Sequence, residues 1–388
     1  MSGFKPSEPS RWDIFCTVID NFGDIGVCWR LAQQLASEHD LAVRLWVDDL
    51  ASFQRICPEI DPVQARQTVR DIEVRQWSTD FPALVPGDVV IEAFACHLPE
   101  AFVAAMAARR PSPVWINLDY LSAEDWVSGC HALPSPHPQL PLTKYFFFPG
   151  FDETTGGLLR ERDLLQQRQS FNDSRQQQDD FWRSIGQSAP DPGSLLLSLF
   201  SYKNPAIGDL LAILAQGEAP VCCLVPVTRN LADIEAFTGR TLSAGDVFRK
   251  EQLEIRMLPF VSQTDYDRLL WSCDINFVRG EDSFVRAQWA GKPMIWQIYP
   301  QQEEAHRIKL EAFLDRYLAG QAESMAATIR QLYRAWNGFD DERLTPDLWA
   351  RWQSALPEIC QHHESWTKNL LNQQDLCTNL VNFVRSKL

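Results

Sequence analysis

Long apolar runs are missing from this chain. No stretch approaches the ~18 consecutive apolar residues that a membrane span needs, and Met1 to Ser10 contain no apolar core of the kind a secretory signal carries. The expected location is therefore the cytoplasm. Positive charge is also scarce: 36 Lys and Arg face 51 Asp and Glu, for a net charge of −15, and no basic run stands out. Such a field repels nucleic acid and anionic membrane, so neither is expected as a partner and any basic patch must be local. The ten cysteines include no CxxC pair and no regular spacing. Cys16, Cys96, Cys223 and Cys273 lie in apolar, strand-like runs and read as buried thiols of a reducing compartment, which argues against a disulfide frame or a zinc site. The seven histidines show no metal-ligand spacing. A GxGxxG fingerprint is absent, which removes the main sign of a nicotinamide-dependent oxidoreductase.

What is present is alternation. From Trp12 to about Gly150 short apolar runs (Trp12 to Ile19, Leu41 to Val47, Asp88 to Ile91, Pro113 to Leu118, Tyr145 to Phe148) alternate with helical patterns. Fully apolar strands separated by helices predict a parallel sheet covered on both faces, with functional loops at the strands' C-terminal ends. Glu92, Asn117, Asp119 and Tyr120 occupy such ends and read as caps or supporting groups. Glu161 to Asp180, polar with few apolar positions, reads as a solvated linking helix, and Gln187 to Gly193 as a joint. The alternation then repeats with Ser194 to Phe200, Val221 to Val225, Leu253 to Leu258, Asp274 to Val278 and Pro293 to Tyr299. The length, about two domains' worth at roughly 150 residues each, agrees. The expected fold is α/β, with two facing Rossmann-like doubly wound domains spanning residues 1–185 and 190–365. Most of the 14 tryptophans fall at helical spacing with other apolar residues and are expected in the cores.

Two turns stand out. Asp274 to Val278 ends in Arg279-Gly280-Glu281-Asp282-Ser283 and opens into a helical pattern. A strand that ends in Arg-Gly at a helix start offers backbone amides and a fixed cation to an anion such as a diphosphate. Glu281 and Asp282 suit hydroxyls beside it. The other reading is an ordinary turn with a charged cap. In the first half the strand from Trp12 runs into Asp20-Asn21-Phe22-Gly23-Asp24-Ile25-Gly26, whose glycines allow a tight turn and close approach. One aspartate can face a reacting atom while the other caps the helix or steadies the loop. Two doubly wound domains with a ligand-bearing turn in each are the plan of glycosyltransferase B enzymes. By analogy with that plan, the amphipathic tail 366–388 should cross back onto the first domain.

Taken together, Trp12-Asp13-Ile14-Phe15-Cys16, the run from Asp20 to Leu31 and Arg279 to Ser283 resemble one family over essentially the whole chain, the elongation factor P arginine rhamnosyltransferases (EarP). Leu199-Phe200-Ser201-Tyr202 and Leu258-Pro259-Phe260-Val261 match as well. The resemblance implies a donor, dTDP-β-L-rhamnose, and an acceptor, an arginine side chain of translation elongation factor P. It also implies inversion at the anomeric carbon and no cofactor. A guanidinium is protonated and delocalised, so the site must hold the cation, orient one nitrogen and accept a proton, which carboxylates do. Asp20 matches the family's catalytic aspartate and Asp24 a second essential one, in the loop completed by Asn21, Phe22 and Gly23. On the donor side Phe260 matches the thymine-stacking residue and Phe200 and Tyr202 fall where they can line sugar or ribose. Gln263 and Tyr299 match contacts to base and phosphate. Glu281 and Asp282 match a required Glu-Asp pair, with Glu281 counted as catalytic. Arg279, Ser283 and the helix-start amides would stabilise the departing diphosphate without a metal, since no Asp-x-Asp box lies near the turn.

Competing readings are a glycosyltransferase of the same architecture acting on a lipid or small molecule, and a non-catalytic nucleotide-sensing module. The acidic charge and the lack of a basic amphipathic stretch disfavour membrane docking. Tight donor binding without transfer would mark the sensing module.

Overall fold

The computed structural model describes residues 10–19, 22–78, 81, 83–228, 230–301 and 305–387. The chain forms two compact units, residues 1–162 with 373–388, and residues 163–372. The first unit runs β1 (Arg11–Cys16), α1 (Gly23–His39), β2 (Ala42–Val47), α2 (Leu50–Ile56), β3 (Arg66–Val69), β4 (Ile72–Gln76), β5 (Val89–Ala93), α3 (Glu100–Ala108), β6 (Val114–Leu118), α4 (Trp126–Cys130), β7 (Pro134–Pro136) and β8 (Thr143–Phe147). Its sheet has the order β3-β4-β2-β1-β5-β6-β8-β7. All neighbours are parallel except the outer pairs, β3 with β4 and β7 with β8. The apolar runs became the inner strands. β3, β4 and β7 are short and partly polar, and no apolar run announced them. The first strand stops at Cys16, short of the expected Ile19.

Inner strands buried on both faces must satisfy any polar group they carry. Asp13, in the middle of β1, is wholly buried. Its carboxylate accepts from Arg44 Nε and Nη2 of β2 at 2.5 and 2.7 Å, from Trp46 Nε1 at 3.1 Å and from the Gly87 amide at 2.7 Å. The Arg44 guanidinium also lies 5.4 Å from the Trp46 ring centroid. On the face covered by α3, Phe15 stacks on Trp46 at 5.4 Å and meets Phe102 at 4.8 Å, with Val90, Met106 and Trp115 filling the same layer.

The second unit contains α5 (Leu164–Asp173), α6 (Arg175–Ser184), β9 (Leu195–Leu199), α7 (Ala206–Ala215), β10 (Val221–Pro226), α8 (Leu231–Thr238), β11 (Val247–Lys250), β12 (Leu253–Leu258), α9 (Gln263–Ser272), β13 (Ile275–Arg279), α10 (Asp282–Ala290), β14 (Met294–Gln297), α11 (Ala305–Tyr317), α12 (Glu323–Asn337), α13 (Pro346–Ser354) and α14 (Leu356–Leu370). The sheet order is β11-β12-β10-β9-β13-β14, with β11 alone antiparallel to its neighbour. Each expected strand of this half is present within two residues at either end, and β11 is the addition.

The division between units differs from the expected one at both crossings. The polar stretch read as a linking helix is two helices, α5 and α6, and they belong to the second unit. Their few apolar residues are enough to dock them: Phe171 meets Phe181 at 5.8 Å and Trp271 of α9 at 5.6 Å. The tail likewise returns at 373 rather than 366. Trp366 is still in α14, donating from Nε1 to Gln288 Oε1 at 2.7 Å and meeting Tyr317 edge-on at 5.4 Å. After the turn at 371–375 the chain forms α15 (Leu376–Arg385). Asp375 caps this helix through Thr378 N at 2.9 Å and accepts from Gln34 Nε2 of α1 at 3.0 Å. Among the described residues no helix is long and apolar enough to cross a membrane.

Removing one partner of a buried ion pair leaves the other charge stranded. Asp13→Ala is therefore expected to lower the unfolding free energy by about 3 to 5 kcal/mol, as measured by urea titration. A change below ~1 kcal/mol would mean that Arg44 finds water in the variant.

Candidate functional site

In doubly wound sheets ligands collect at the C-terminal edge where the strand order reverses direction. In the second unit that point lies between β9 and β13, from which the order runs outward to β10 on one side and β14 on the other. The loops leaving these strands carry Phe200 and Tyr202 after β9, and Arg279 to Ser283 after β13. Arg279 is the last residue of β13 and only 3% exposed. Its guanidinium carbon lies 4.5 Å from the Phe200 ring centroid and 4.3 Å from that of Tyr202. Two aromatic faces thus fix a cation that has lost nearly all its water.

The turn that follows is closed from within. Gly280 has φ +61°, a left-handed conformation that suits glycine, and its amide donates to Gln297 O at 3.2 Å while its carbonyl accepts from Trp296 Nε1 at 2.8 Å. Ser283 Oγ accepts the Arg279 amide at 3.0 Å and donates its own proton to the Arg279 carbonyl. Glu281 occupies the N-cap of α10 but makes no capping bond through its side chain, unlike the charged cap of the ordinary-turn reading. Asp282 Oδ2 accepts from Gln263 Nε2 at 3.1 Å, which ties the start of α9 to the start of α10. One turn further on, Asp267 and Arg286 join the same two helices through a two-pronged pair at 2.9 and 2.7 Å. Tyr299, 37% exposed, meets Tyr202 edge-on at 5.5 Å. Phe260 lies half-buried just beyond β12.

Tyr266 went unremarked in the sequence. It stands three residues after Gln263 on the same face of α9, with its ring 5.4 Å from Phe200. Its hydroxyl is buried, which pushes the phenol well above its ordinary range, with Ser283, Asp282 and Arg279 as neighbours. The helical spacing from Gln263 was the signal that could have found it.

The far end of α10 is anchored as firmly as its start. Arg168 Nη1 of α5 donates to Trp289 O, Thr367 Oγ1 of α14 to Gln288 O at 2.8 Å, and His363 Nε2 lies 3.4 Å from Ala287 O. Tyr317 OH is 3.0 Å from His363 Nδ1. With Nε2 facing a carbonyl, Nδ1 is the acceptor and the ring is neutral. Burial lowers its pKa to about 4.

In the first unit the order reverses between β1 and β5. The loop after β1 is the predicted acceptor loop. Asp20 and Asn21 lie outside the described residues. Phe22 holds the N-cap position of α1 with Arg55 5.7 Å from its ring, and Gly23 opens the helix. Asp24 is 2% exposed. It does not cap α1: its Oδ2 accepts the Ile19 amide at 2.8 Å and its Oδ1 accepts from Tyr120 OH at 3.2 Å. Asp48, at the end of β2, accepts the Val18 amide at 2.9 Å and was not singled out beforehand. Its place at a C-terminal strand end beside β1 was the available clue.

The predicted residues therefore gather at the reversal point of each sheet. Residues 12–385 match the family described as Elongation-Factor P (EF-P) rhamnosyltransferase EarP. The chain belongs to this family. It is 51% identical to the protein-arginine rhamnosyltransferase of Pseudomonas putida, over 98% of this chain and all of that one, and 41% identical to that of Shewanella oneidensis, over 98% of both. A solved structure concerned with EarP-mediated arginine glycosylation of translation elongation factor EF-P is 37% identical, with a TM-score of 0.68, covering 98% of this chain and all of that one. The UDP complex of TcCGT1, 11% identical with a TM-score of 0.51, shares the fold alone. EarP chains are protein-arginine rhamnosyltransferases built on the glycosyltransferase B architecture, and this chain is one of that group.

His363 supplies a pH dependence. Its folded pKa lies below the ordinary histidine value of about 6.5, so the unfolded chain takes up the proton first and stability falls as pH drops from about 6.5 to 4. The loss attributable to this ring reaches about 3 kcal/mol. His363→Gln is expected to flatten the fall of unfolding free energy across that window, and equal slopes in both proteins would contradict it.

Proposed function

We propose that the chain transfers L-rhamnose from dTDP-β-L-rhamnose to an arginine side chain of translation elongation factor P, with inversion and without a metal. The observation that carries the donor half is the Arg279 guanidinium held between Phe200 and Tyr202 at the start of α10. A diphosphate leaving group gains negative charge as its bond to the sugar breaks. A cation already desolvated and oriented, next to a helix start, stabilises that charge with little reorganisation. Asp282, steadied by Gln263, and Glu281 are the hydroxyl acceptors for sugar or ribose. Ser283 keeps the turn in shape through both its bonds to Arg279. Tyr266 joins this set as a wall between Phe200 and Ser283, and Phe260 is the stacking surface for thymine.

The acceptor half rests on the loop after β1. Asp20 is the general base and takes the proton that the guanidinium releases as the new C–N bond forms. Asp24, with one donor on each carboxylate oxygen, keeps further lone pairs for the incoming cation. In-line attack opposite the diphosphate gives the inverted product. The reaction balances without a metal: the C–O bond to the diphosphate breaks, the C–N bond forms, and the proton passes to Asp20.

Mass spectrometry of elongation factor P, incubated with the protein and a panel of nucleotide sugars, tests donor, acceptor and transfer together. One added deoxyhexose only with dTDP-β-L-rhamnose is the expected result, and transfer to a lipid or small molecule instead would replace the reading. Asp20→Asn should abolish transfer while donor affinity by calorimetry stays within about twofold, because the carboxylate acts on the acceptor. Phe260→Ala should weaken dTDP binding by ~1 to 3 kcal/mol, the usual worth of base stacking. Unchanged binding would remove Phe260 from the base site.

A further inference from the structure

Asp24 is bound from two directions, and only one of the donors belongs to its own loop. The other is Tyr120, two residues beyond the end of β6. We propose that Tyr120, backed by Phe94, is the positioning residue that orients Asp24 for the cationic acceptor, an inference that rests on the acceptor-site role given to Asp24 above.

Tyr120 is itself held at three places. Its amide donates to Asp119 Oδ1 at 2.8 Å, and Asp119 Oδ2 accepts from Asn117 Nδ2 at 3.2 Å, which fixes the carboxylate to β6. Its ring stacks on Phe94 with centroids 4.4 Å apart and planes 18° apart. Its hydroxyl then reaches Asp24 Oδ1 at 3.2 Å. Every link starts from a strand end at the reversal point: β1 through Ile19, β5 through Phe94 and β6 through Asn117.

The backbone under Phe94 is the second observation. Phe94, Ala95 and His97 have φ of 55°, 54° and 49°, left-handed values that a residue with a side chain adopts at a cost of about 1–2 kcal/mol each. The Phe94 amide donates to Leu118 O at 2.7 Å, so the turn is pinned to β6 just before Asp119. A relaxed turn would carry the ring elsewhere. The strained one lays it flat beneath Tyr120, which removes the tyrosine's freedom to swing from Asp24.

The chemistry needs this. A guanidinium presents its N–H groups in one plane, and a carboxylate that must meet it loses rate for each ångström of misplacement. Two fixed donors, one per oxygen, set the plane of Asp24 and leave a lone pair on each oxygen directed away from them. The Tyr120 bond also favours the ionised carboxylate and so keeps it charged to lower pH.

The test uses the full chain with dTDP-β-L-rhamnose and elongation factor P. Tyr120→Phe should keep its melting temperature and its donor KM within twofold, lower kcat about tenfold, and move the acid limb of kcat/KM for the acceptor upward by about half to one pH unit, because the carboxylate has lost a donor. Phe94→Leu keeps the hydroxyl but unseats the ring, and an intermediate loss of kcat is expected. A Tyr120→Phe enzyme with native kcat overturns the inference, as does one slowed with its acid limb unmoved, which would mark a merely structural tyrosine. If Tyr120→Phe proves unstable, Phe94→Leu decides: native kcat there overturns the inference. Asp24→Asn separates the two levels. An inactive Asp24→Asn beside a native-like Tyr120→Phe leaves the acceptor reading standing without Tyr120, whereas full activity in Asp24→Asn removes that reading itself.

Discussion

The Arg279 guanidinium must stay charged, nearly out of water and in one orientation. Lysine would not serve, because an ammonium is more strongly hydrated and offers no flat face to two rings. Everything around Arg279 answers that demand. β9 and β13 are adjacent, so Phe200 and Tyr202 leave the sheet beside it. Gly280 bends the chain at once into α10, and Ser283 locks the bend. The helix is then braced along its length by Asp267–Arg286 and at its carbonyl end by Arg168, His363 and Thr367. A cradle for a pyrophosphoryl group works by not moving, and the second unit spends its polar buried groups on that immobility.

The first unit solves a different problem. Its ligand is the cation, so it supplies carboxylates, and buried carboxylates need donors. Asp13 takes four and is locked into the sheet, far too committed to serve a substrate. Asp24 takes one on each oxygen and keeps capacity to spare. The same residue type on neighbouring segments thus reads as scaffold or as site according to how many of its lone pairs are taken.

The inner strands were legible because continuous apolar runs bounded by turns leave few alternatives, and both ligand-bearing turns followed from where such runs end. Edge strands such as Arg66–Val69 escaped because half-exposed positions dilute the pattern. The packed helices at 164–184 looked solvated because Phe171, Phe181 and Trp182 are too few to shift an average, though they suffice to bury one face. The tail was cut seven residues early because Trp366 and Leu370 share its amphipathic period while packing with a different unit. In the site, residues inside a motif were found, whereas Tyr120, Phe94 and Tyr266 depend on which strand ends lie side by side. Strand order is a property of the folded sheet and leaves no local mark.

The return of the chain at 373 has a consequence for biosynthesis. α15 is the last helix to leave the ribosome, yet it lies against α1, near the beginning, through Gln34 and Asp375. The second unit's helix α10 likewise waits for His363 and Thr367 before its carbonyls are filled. Neither half of a nascent polypeptide can therefore finish folding early: maturation of both is deferred until translation of this message is almost over, and a product truncated by even its last sixteen residues would leave the amino-terminal sheet without its final cover.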